Sequence, residues 1–292
     1  MILNKEQKKA IAFGKGPLLI IAGAGTGKTT VITERIHYLL SSGKAKPEEI
    51  LALTFTEKAA REMEERVDQT LPYGTTKLWI STFHAFCDRV LKSESLSVGL
   101  NPNFTLMGEA ESIQFFIKNL FAFKLEYFRP LGNPTKFVSG MLQHFSRLKD
   151  EDVSPREYSE WVEKFSKKVE SEEDIEEAKK YKELADAYRT YEELKTKEGF
   201  ADYGDLIANT LMIFRTRKKI LSQYQKQFAY ILIDEFQDTN FAQNELAILL
   251  SGTKRILRSL VMMIRQFIGG VEQRFLILFN SGKGLQKPRL SF

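Results

Sequence analysis

Residues 18–29, Leu-Leu-Ile-Ile-Ala-Gly-Ala-Gly-Thr-Gly-Lys-Thr, decide the fold of this 292-residue chain. An apolar run leads into a glycine-rich turn that ends in Gly-Lys-Thr, which predicts a strand followed by a nucleoside triphosphate phosphate loop. Small residues let the backbone wrap closely around phosphate oxygens, and its N–H groups form a concave anion site beside a helix N-terminus. The alternative is an incidental glycine-rich turn, which the required strand context disfavours.

Each position of this loop has an expected role. Lys28 is expected to reach the β- and γ-phosphates, and the Thr29 hydroxyl is expected to hold Mg²⁺. Ala22 departs from the general pattern, in which the first position is Gly. The predicted nucleotide-binding residues of this segment are Ala22, Gly23, Ala24, Gly25, Thr26, Gly27, Lys28, Thr29 and Thr30.

Composition indicates a globular protein with one large or two ordinary domains, because 43% of the residues are hydrophobic and 28% are charged. The single cysteine, Cys87, excludes an intrachain disulfide and suits a reducing cytoplasm. No apolar run approaches the roughly 20 residues of a membrane span. The N-terminus also lacks the pattern of a signal peptide. We therefore expect a cytoplasmic protein without a membrane partner.

The net charge of +5 is unevenly distributed. Residues 253–292 contain eight Lys or Arg and one Glu, whereas residues 1–252 contain 35 basic and 37 acidic residues. The overall basicity therefore comes from the C-terminal segment. It is poor evidence for nucleic-acid binding by the rest of the chain.

Short apolar runs without strict alternation predict strands of a parallel sheet that is buried on both faces. Four such runs are Leu18–Ala22, Ile50–Phe55, Leu78–Ser81 and Tyr230–Ile233. Helical patterns follow the first three, at Thr29–Leu40, Glu57–Leu71 and Phe83–Lys92. Strands that alternate with helices predict right-handed βαβ units and an α/β fold.

Strand signals disappear between residues 93 and 199, where helical patterns predict an all-helical insertion. Those patterns are Glu109–Phe123, Pro134–Leu148 and Glu172–Lys195. In the third, apolar and aromatic residues recur at spacings of three and four, and Ser171 with Asp174 predicts a capping box. We interpret its aromatic stripe as core; a base-stacking surface is the alternative.

Asp234 and Glu235 follow the fourth predicted strand directly. Acidic side chains at the carboxyl end of a parallel strand project into the crevice where open α/β sheets bind ligands. In phosphoryl transfer, one such Asp holds Mg²⁺, and a neighbouring Glu can orient or deprotonate the attacking water. A solvated acidic turn is the alternative, but the phosphate loop on a separate strand favours the functional interpretation.

Residues 234–240, Asp-Glu-Phe-Gln-Asp-Thr-Asn, resemble motif II of superfamily 1 helicases of the UvrD/Rep/PcrA type. Other segments resemble motifs of the same family in the same order. They are the Q motif at 3–7, motif Ia at 54–60, motif Ib at 81–86 and the segment at 202–206 that re-enters the first core domain. The resemblance covers residues 1 to about 252.

The resemblance implies a RecA-like P-loop NTPase sheet with a helical insertion. Residues 1–92 and 200–252 would form the motor domain 1A, and residues 93–199 the subdomain 1B. The implied activity is ATP-dependent, 3′ to 5′ DNA unwinding or translocation with Mg²⁺, acting on single-stranded DNA in DNA repair or replication. The implied catalytic residues are Lys28, Asp234, Glu235 and Gln237, with Thr29 and Asp234 as metal ligands and Gln7 reading the adenine edge.

Motifs Ia and Ib of the family imply contacts with single-stranded DNA. Phe55 and Phe83 lie just beyond strand ends, where bases could stack on them. Threonine hydroxyls and His84 can donate hydrogen bonds to phosphates. Lys58 could contact phosphate or lie on a solvated helix face. The predicted DNA-binding residues are Thr54, Phe55, Thr56, Lys58, Thr82, Phe83 and His84.

Two departures leave details open. Glu57 replaces the Asn that is frequent in motif Ia of UvrD-type helicases. The form with Glu also occurs in the RecB/AddA branch. Thr30 stands where close relatives often place an Arg against the adenine, which disfavours base stacking by that route. A non-catalytic, nucleotide-gated DNA-binding module and a RecB/AddA-like helicase subunit remain alternatives.

Residues 253–292 depart from the family pattern, in which motif III, roughly Gly-Asp-x-x-Gln-x-Ile-Tyr-x-x-Arg-Gly, comes next. Residues 260–273 instead read Leu-Val-Met-Met-Ile-Arg-Gln-Phe-Ile-Gly-Gly-Val-Glu-Gln. When each triplet is read one nucleotide upstream, the last base of one codon joins the first two bases of the next. The codons of Met262 and Met263 then give GAT, which encodes Asp, and those of Met263 and Ile264 give a second GAT. Permitted codons elsewhere complete motif III. We therefore hypothesise a one-base shift near residues 253–255; an authentic divergent C-terminus is the alternative.

Such a shift would remove motif III, motifs IV to VI and the second RecA-like domain, which in this family supplies arginines for phosphoryl transfer. We then expect nucleotide binding, weak hydrolysis and no unwinding by this chain alone. Residues 253–292 are expected to form a poorly ordered or aggregation-prone tail.

Overall fold

The computed structural model describes residues 3–14, 16, 18–23, 25–69, 78–94, 96, 99 and 101–252, and the backbone alone of residues 259–265. The chain divides into two compact units. Met1–Arg89 and Thr210–Phe292 form the first unit, and Val90–Asn209 form the second. The second unit begins and ends within helices, and the predicted division at residues 93 and 199 stays a prediction.

The first unit contains a sheet of five parallel strands in the order β1-β7-β6-β2-β3. The bounds are Leu18–Ala22 for β1, Ile50–Thr54 for β2, Trp79–Thr82 for β3, Tyr230–Ile233 for β6 and Ser259–Arg265 for β7. Its helices are α1 (Lys5–Ala12), α2 (Lys28–Ser41), α3 (Glu57–Asp68), α4 (Phe83–Glu94, which continues into the second unit), α10 (Lys218–Gln227) and α11 (Phe241–Ser251). The four predicted strands are confirmed to within one residue at each end, and the α/β class is confirmed with them.

β2 lies inside the sheet and is buried along its whole length. Leu53 pairs with Ile233 of β6, and Thr54 pairs with Thr82 of β3. The apolar face of α2 packs against the same core through Val31, Ile32, Ile36 and Leu39. This burial on both faces explains why the strand is a continuous apolar run, as parallel strands are.

β7 lies between β1 and β6 and pairs with both in parallel. Its residues belong to the segment that the sequence analysis assigned to a C-terminal tail, so the sheet does not end at residue 252. A run of Leu, Val, Met, Met and Ile at 260–264 has the apolar character that an interior parallel strand requires. The predictions made for residues 253–258 and 266–292 lie outside the described residues.

The second unit is built mainly from helices α5 (Glu109–Lys118), α6 (Val138–Asp150), α7 (Pro155–Ser166) and α8 (Glu172–Glu198). The aromatic stripe of α8 is confirmed as core, since Tyr188 and Tyr191 are buried. Ser171 caps α8 by accepting a hydrogen bond from the N–H of Asp174. Gly199, at φ 74°, ends this helix in the left-handed conformation that glycine adopts readily.

The prediction of an all-helical insertion was wrong in one respect. β4 (Thr105–Met107) pairs in parallel with β5 (Phe200–Asp202), with Thr105 opposite Phe200. Each strand has only three residues, which is too short to show the period of two that identifies strands in sequence. After β5 the chain continues into α9 (Tyr203–Thr216), which contains the boundary between the two units.

Within the described ranges, no helix has both the length and the apolar character needed to cross a lipid bilayer.

Candidate active site

The phosphate loop joins the end of β1 to the first residue of α2. Gly25 and Gly27 have φ angles of 73° and 82°, so both turns of the loop need residues that tolerate the left-handed region. A side chain at Gly27 would also meet the Gln7 amide nitrogen at 3.4 Å. Of the predicted loop residues, Ala24 lies outside the described part of the chain.

Lys28 is the first residue of α2, and its side chain is buried. Its Nζ donates to the backbone oxygen of Gly23 at 3.3 Å and lies 3.5 Å from that of Ala22. Glu235 Oε1 lies 4.0 Å from the same ammonium group. The structure thus holds this positive charge against the loop, where a bound phosphate would lie.

Thr29 and Asp234 come together although they are 205 residues apart in sequence. The Thr29 hydroxyl donates to Asp234 Oδ2 at 3.1 Å. A hydroxyl and a carboxylate are the hard oxygen ligands that Mg²⁺ prefers, so this pair fits the predicted metal site. Burial, reinforced by the neighbouring Glu235 carboxylate, raises the pKa of Asp234, and the Thr29 hydrogen bond opposes the shift.

Glu235 has a left-handed backbone, with φ 48°, although it carries a side chain. Such a conformation costs about 1–3 kcal/mol and persists where the surroundings impose it, often at functional sites. Gln237 Nε2 donates to Glu235 Oε2 at 2.6 Å and to Asp238 Oδ2 at 2.9 Å. Gln237, one of the predicted catalytic residues, therefore orients the Glu235 carboxylate.

Gln7 lies on α1 and contacts the phosphate loop. Its amide Nε2 donates to the backbone oxygen of Thr26 at 3.1 Å. Its Oε1 accepts from the N–H of Asn4 at 2.9 Å, and the Asn4 side chain accepts from the N–H of Gln7, which completes a capping box. Gln7 is therefore positioned against the loop, and its contact with the adenine edge stays a prediction. Thr30 lies on α2, and its backbone oxygen accepts from the Thr33 hydroxyl.

Three of the predicted DNA-binding residues are exposed where β2 gives way to α3. Phe55 is 51% exposed, although it is a large aromatic residue. Thr56 caps α3 by accepting from the N–H of Ala59, and Lys58 lies almost wholly in solvent, 3.9 Å from Glu62. An exposed ring beside a lysine and a hydroxyl can contact bases and phosphates.

The predicted stacking role of Phe83 was wrong, because Phe83 is 1% exposed. Phe83 is the first residue of α4, and its side chain belongs to the buried core. Its position after a strand end resembles that of Phe55, but sequence position alone does not decide which way a ring points.

Two predicted phosphate contacts are also contradicted by burial. Thr54 is buried and donates to the backbone oxygen of Thr56 at 3.1 Å. Thr82 is buried, donates to Glu57 Oε1 at 2.8 Å and accepts from the N–H of Ala85. The Thr54 hydroxyl closes a local turn, the Thr82 hydroxyl bonds both the start of α4 and Glu57, and both residues are shielded from solvent.

His84 is half-buried beside these threonines. Burial lowers its pKa, and the Glu57 carboxylate partly opposes that shift. Burial therefore favours the neutral ring, whose N–H can donate a hydrogen bond to a phosphate.

A known protein family matches most of the chain. The model of the UvrD/REP helicase N-terminal domain matches residues 3–264. The chain belongs to this family. The match includes all the residues discussed above and continues past residue 252, where the sequence analysis placed the end of the family pattern.

Individual relatives are similar over most of the chain. The ATP-dependent DNA helicase PcrA of Bacillus subtilis strain 168 is 38% identical over 242 residues, which cover 82% of this chain and 30% of the relative. PcrA of Staphylococcus aureus strain Mu50 is 35% identical over 254 residues, 85% of this chain and 31% of the relative. The chain thus spans about a third of the length of these UvrD/REP-family relatives.

Glu57 has a role that sequence reasoning missed. Glu57 stands in place of the Asn that is frequent in motif Ia, and only its tertiary contacts show the consequence. Because Glu57 accepts from Thr82 and lies near His84, it links the start of α3 to the start of α4. In this family member, one carboxylate therefore joins the motif Ia and motif Ib segments.

A buried ion cluster occupies the second unit at the segment that resembles the re-entry motif. Lys149 and Lys195 each lie within 3 Å of carboxylate oxygens of Glu192, Asp202 and Asp205. Three such carboxylates could hold a metal ion, but two ammonium groups already lie among them. We interpret the cluster as structural, since its groups are paired with one another.

Proposed function

We propose that this chain is the N-terminal, ATP-binding part of an ATP-dependent DNA helicase or translocase. The first unit would be its RecA-like motor domain, and the second unit its helical insertion. The observation that carries the proposal is the contact between Thr29 of the phosphate loop and Asp234 of a separate strand segment, at 3.1 Å. Lys28 and Glu235 lie side by side at the same place.

The proposed reaction is hydrolysis of ATP to ADP and phosphate. Lys28 would compensate charge on the β- and γ-phosphates, and Gln7 would bind the adenine edge. Thr29 and Asp234 would hold Mg²⁺, which neutralises phosphate charge when it is bound. Glu235, oriented by Gln237, would take a proton from the attacking water. The remaining loop residues, from Ala22 to Thr30, would enclose the phosphates.

The proposed partner is single-stranded DNA at the surface formed by Phe55, Thr56 and Lys58, with His84 nearby. Bases would stack on the exposed ring, and the polar groups would contact phosphate. Translocation from 3′ to 5′, a cytoplasmic location and a role in DNA repair or replication are parts of the same proposal that rest on the family.

The proposal is tested with the 292-residue chain and two substitutions at the site. Lys28→Ala should weaken Mg·ATP binding at least about tenfold, because a charge-assisted contact to phosphate is lost. Glu235→Gln should leave binding within about twofold and reduce the single-turnover hydrolysis rate about 100-fold or more, which is typical for loss of a general base. Titration calorimetry and phosphate release measure the two effects.

Lys118→Ala is the matched control, because Lys118 is an exposed lysine of the second unit, 3.3 Å from Glu198. It should change neither binding nor hydrolysis. Hydrolysis that is unaffected by both site substitutions would identify a contaminating ATPase and contradict the proposal.

A further inference from the structure

Arg35 is fully buried on α2 and makes contacts that the catalytic proposal does not use. Its Nη1 donates to the backbone oxygens of Ala10 at 3.0 Å, Ile11 at 2.9 Å and Phe13 at 3.0 Å. These three oxygens lie at the C-terminal end of α1, the helix that carries Gln7. A single guanidinium thus closes the end of that helix.

We propose that Arg35 is a positioning residue that sets how the site discriminates between nucleotide bases, acting through α1 and Gln7. The inference rests on the proposed ATP site. It is about which base the site accepts. The proposed contacts of the phosphate loop are with the triphosphate.

α1 needs an anchor from outside the helix. It has eight residues, fewer than the roughly 12–15 at which an isolated helix becomes even marginally stable. Its N-terminus is closed by the Asn4–Gln7 capping box. At its C-terminus the Phe13 N–H donates to the Ala10 oxygen, and the last carbonyl groups need further partners from outside the helix. Arg35 supplies those partners, and its positive charge suits the negative end of the helix dipole.

The anchor Arg35 and the phosphate-end residue Lys28 lie on the same helix, α2. Arg35 follows Lys28 by seven residues on α2, about two helical turns and roughly 10 Å. Lys28 begins this helix at the phosphate end, and Arg35 fixes α1 against its middle. The position of Gln7 relative to the loop therefore depends on a helix that also carries the phosphate-binding lysine.

The amide group of Gln7 has hydrogen-bonding groups that match those of adenine. One N–H of its amide is directed at Thr26 O, and Oε1 accepts from the Asn4 N–H. An amide has a second N–H and a second lone pair, which together match the donor and acceptor on the N6 and N7 edge of adenine. Guanine offers acceptors at both places, so an amide fixed in this orientation favours adenine.

The experiment measures base discrimination in the 292-residue chain. Titration calorimetry gives the dissociation constants of Mg·ATP, Mg·GTP and Mg·tripolyphosphate for the parent chain, Arg35→Met and Arg35→Lys. We expect Arg35→Met to reduce the ratio of GTP to ATP dissociation constants about two- to tenfold, the value of one hydrogen bond. Arg35→Lys, which retains a charged donor, should restore part of that ratio. Tripolyphosphate affinity should stay within about twofold.

A double-mutant cycle separates positioning from general stabilisation. In a Gln7→Ala background, Arg35→Met should have no further effect on the ratio, because the side chain it positions is gone. Ile36→Ala is the matched control on the same helix: it loosens the buried core without touching the α1 carbonyls and should leave the ratio unchanged. Cys87, the single cysteine and fully buried, reports folding through its slow reaction with a thiol reagent.

The inference is overturned if a folded Arg35→Met variant keeps the parent's ratio of GTP to ATP dissociation constants. It is also overturned if the affinities for ATP and tripolyphosphate fall in parallel. If rapid Cys87 labelling shows that Arg35→Met is unfolded, Arg35→Lys decides, and a ratio equal to that of the parent counts against the inference. If the parent chain itself binds no Mg·ATP, the proposed ATP site fails as well, and the two failures are thereby distinguished.

Discussion

Asp234 is a buried carboxylate beside a second one, and both circumstances disfavour its charged form. Burial and then Glu235 raise its pKa in the folded chain above the ordinary value. Because the folded state holds this proton more tightly than the unfolded chain, ionisation of Asp234 lowers stability as the pH rises through the raised pKa. The proposed metal-binding role of Asp234 therefore conflicts with the stability of the folded chain.

Asp234→Asn should consequently stabilise the nucleotide-free chain at neutral pH while removing Mg²⁺-dependent ATP binding. The stabilisation should vanish at a pH below the ordinary carboxyl value, where the parent side chain is also neutral in both states. Urea denaturation at several pH values, together with calorimetry, measures both effects. A variant that is less stable than the parent at neutral pH would contradict this account.

Phe55 and Phe83 follow neighbouring strands, yet one ring is exposed and the other is buried. Phe55→Ala should reduce affinity for an oligo-dT strand by about 1–3 kcal/mol, the value of one stacked base, with an unchanged urea midpoint. Phe83→Ala should instead cost about 3–5 kcal/mol of unfolding free energy. Fluorescence anisotropy and denaturation separate the two. Normal DNA affinity of Phe55→Ala would exclude this surface.

A cluster of five charged residues joins the helices and the strand that meet in the second unit. Its members are Lys149, Lys195, Glu192, Asp202 and Asp205. Burial opposes ionisation of Asp202 and Asp205, but Lys149 and Lys195 outweigh it and lower the pKa of both carboxyls. Their contribution to stability is therefore complete above the ordinary carboxyl range and is lost as the pH falls through the lowered values.

Lys149→Met should cost about 3–5 kcal/mol of unfolding free energy at pH 7, because it leaves buried carboxylates without part of their compensation. Lys118→Met removes an exposed pair with Glu198 and should cost less than about 1 kcal/mol. Both are measured by urea denaturation of the 292-residue chain. Equal costs for the two lysines would show that the buried cluster adds nothing beyond a surface ion pair.

The molecule as a whole spans about a third of the length of its PcrA relatives. The resemblance to superfamily 1 helicases implies that stepping along DNA needs a second motor domain that moves against the first. We expect the purified 292-residue chain to bind Mg·ATP, to hydrolyse it slowly and not to separate a duplex. Phosphate release and strand displacement test this, and robust DNA-stimulated unwinding would refute it.

The hypothesis of a one-base shift near residues 253–255 also concerns the whole chain. The family match to residue 264 and the position of β7 show that part of the segment after residue 252 fits the domain. The sequence of the coding DNA decides the hypothesis. It is wrong if no alternative frame encodes motif III near residues 260–273.

The amino-acid sequence by itself determined the α/β class, the four strands with long apolar runs and the phosphate loop. It also placed Asp234 and Glu235 at a strand end. These features depend on local pattern: burial on both faces makes a continuous apolar run, and close approach to phosphate needs small residues. Lys28, Thr29, Gln7 and Gln237 could be named for the same reason, since each belongs to a compact motif.

Tertiary structure alone decided what depends on distant partners. It showed that β4 pairs with β5, because three-residue strands carry no periodic signal, and that β7 lies inside the sheet. It separated exposed Phe55 from buried Phe83. It also showed that Arg35 closes α1 from a neighbouring helix. Direction, burial and hydrogen-bond partners of a side chain are set by elements far away in sequence, so no local pattern contains them.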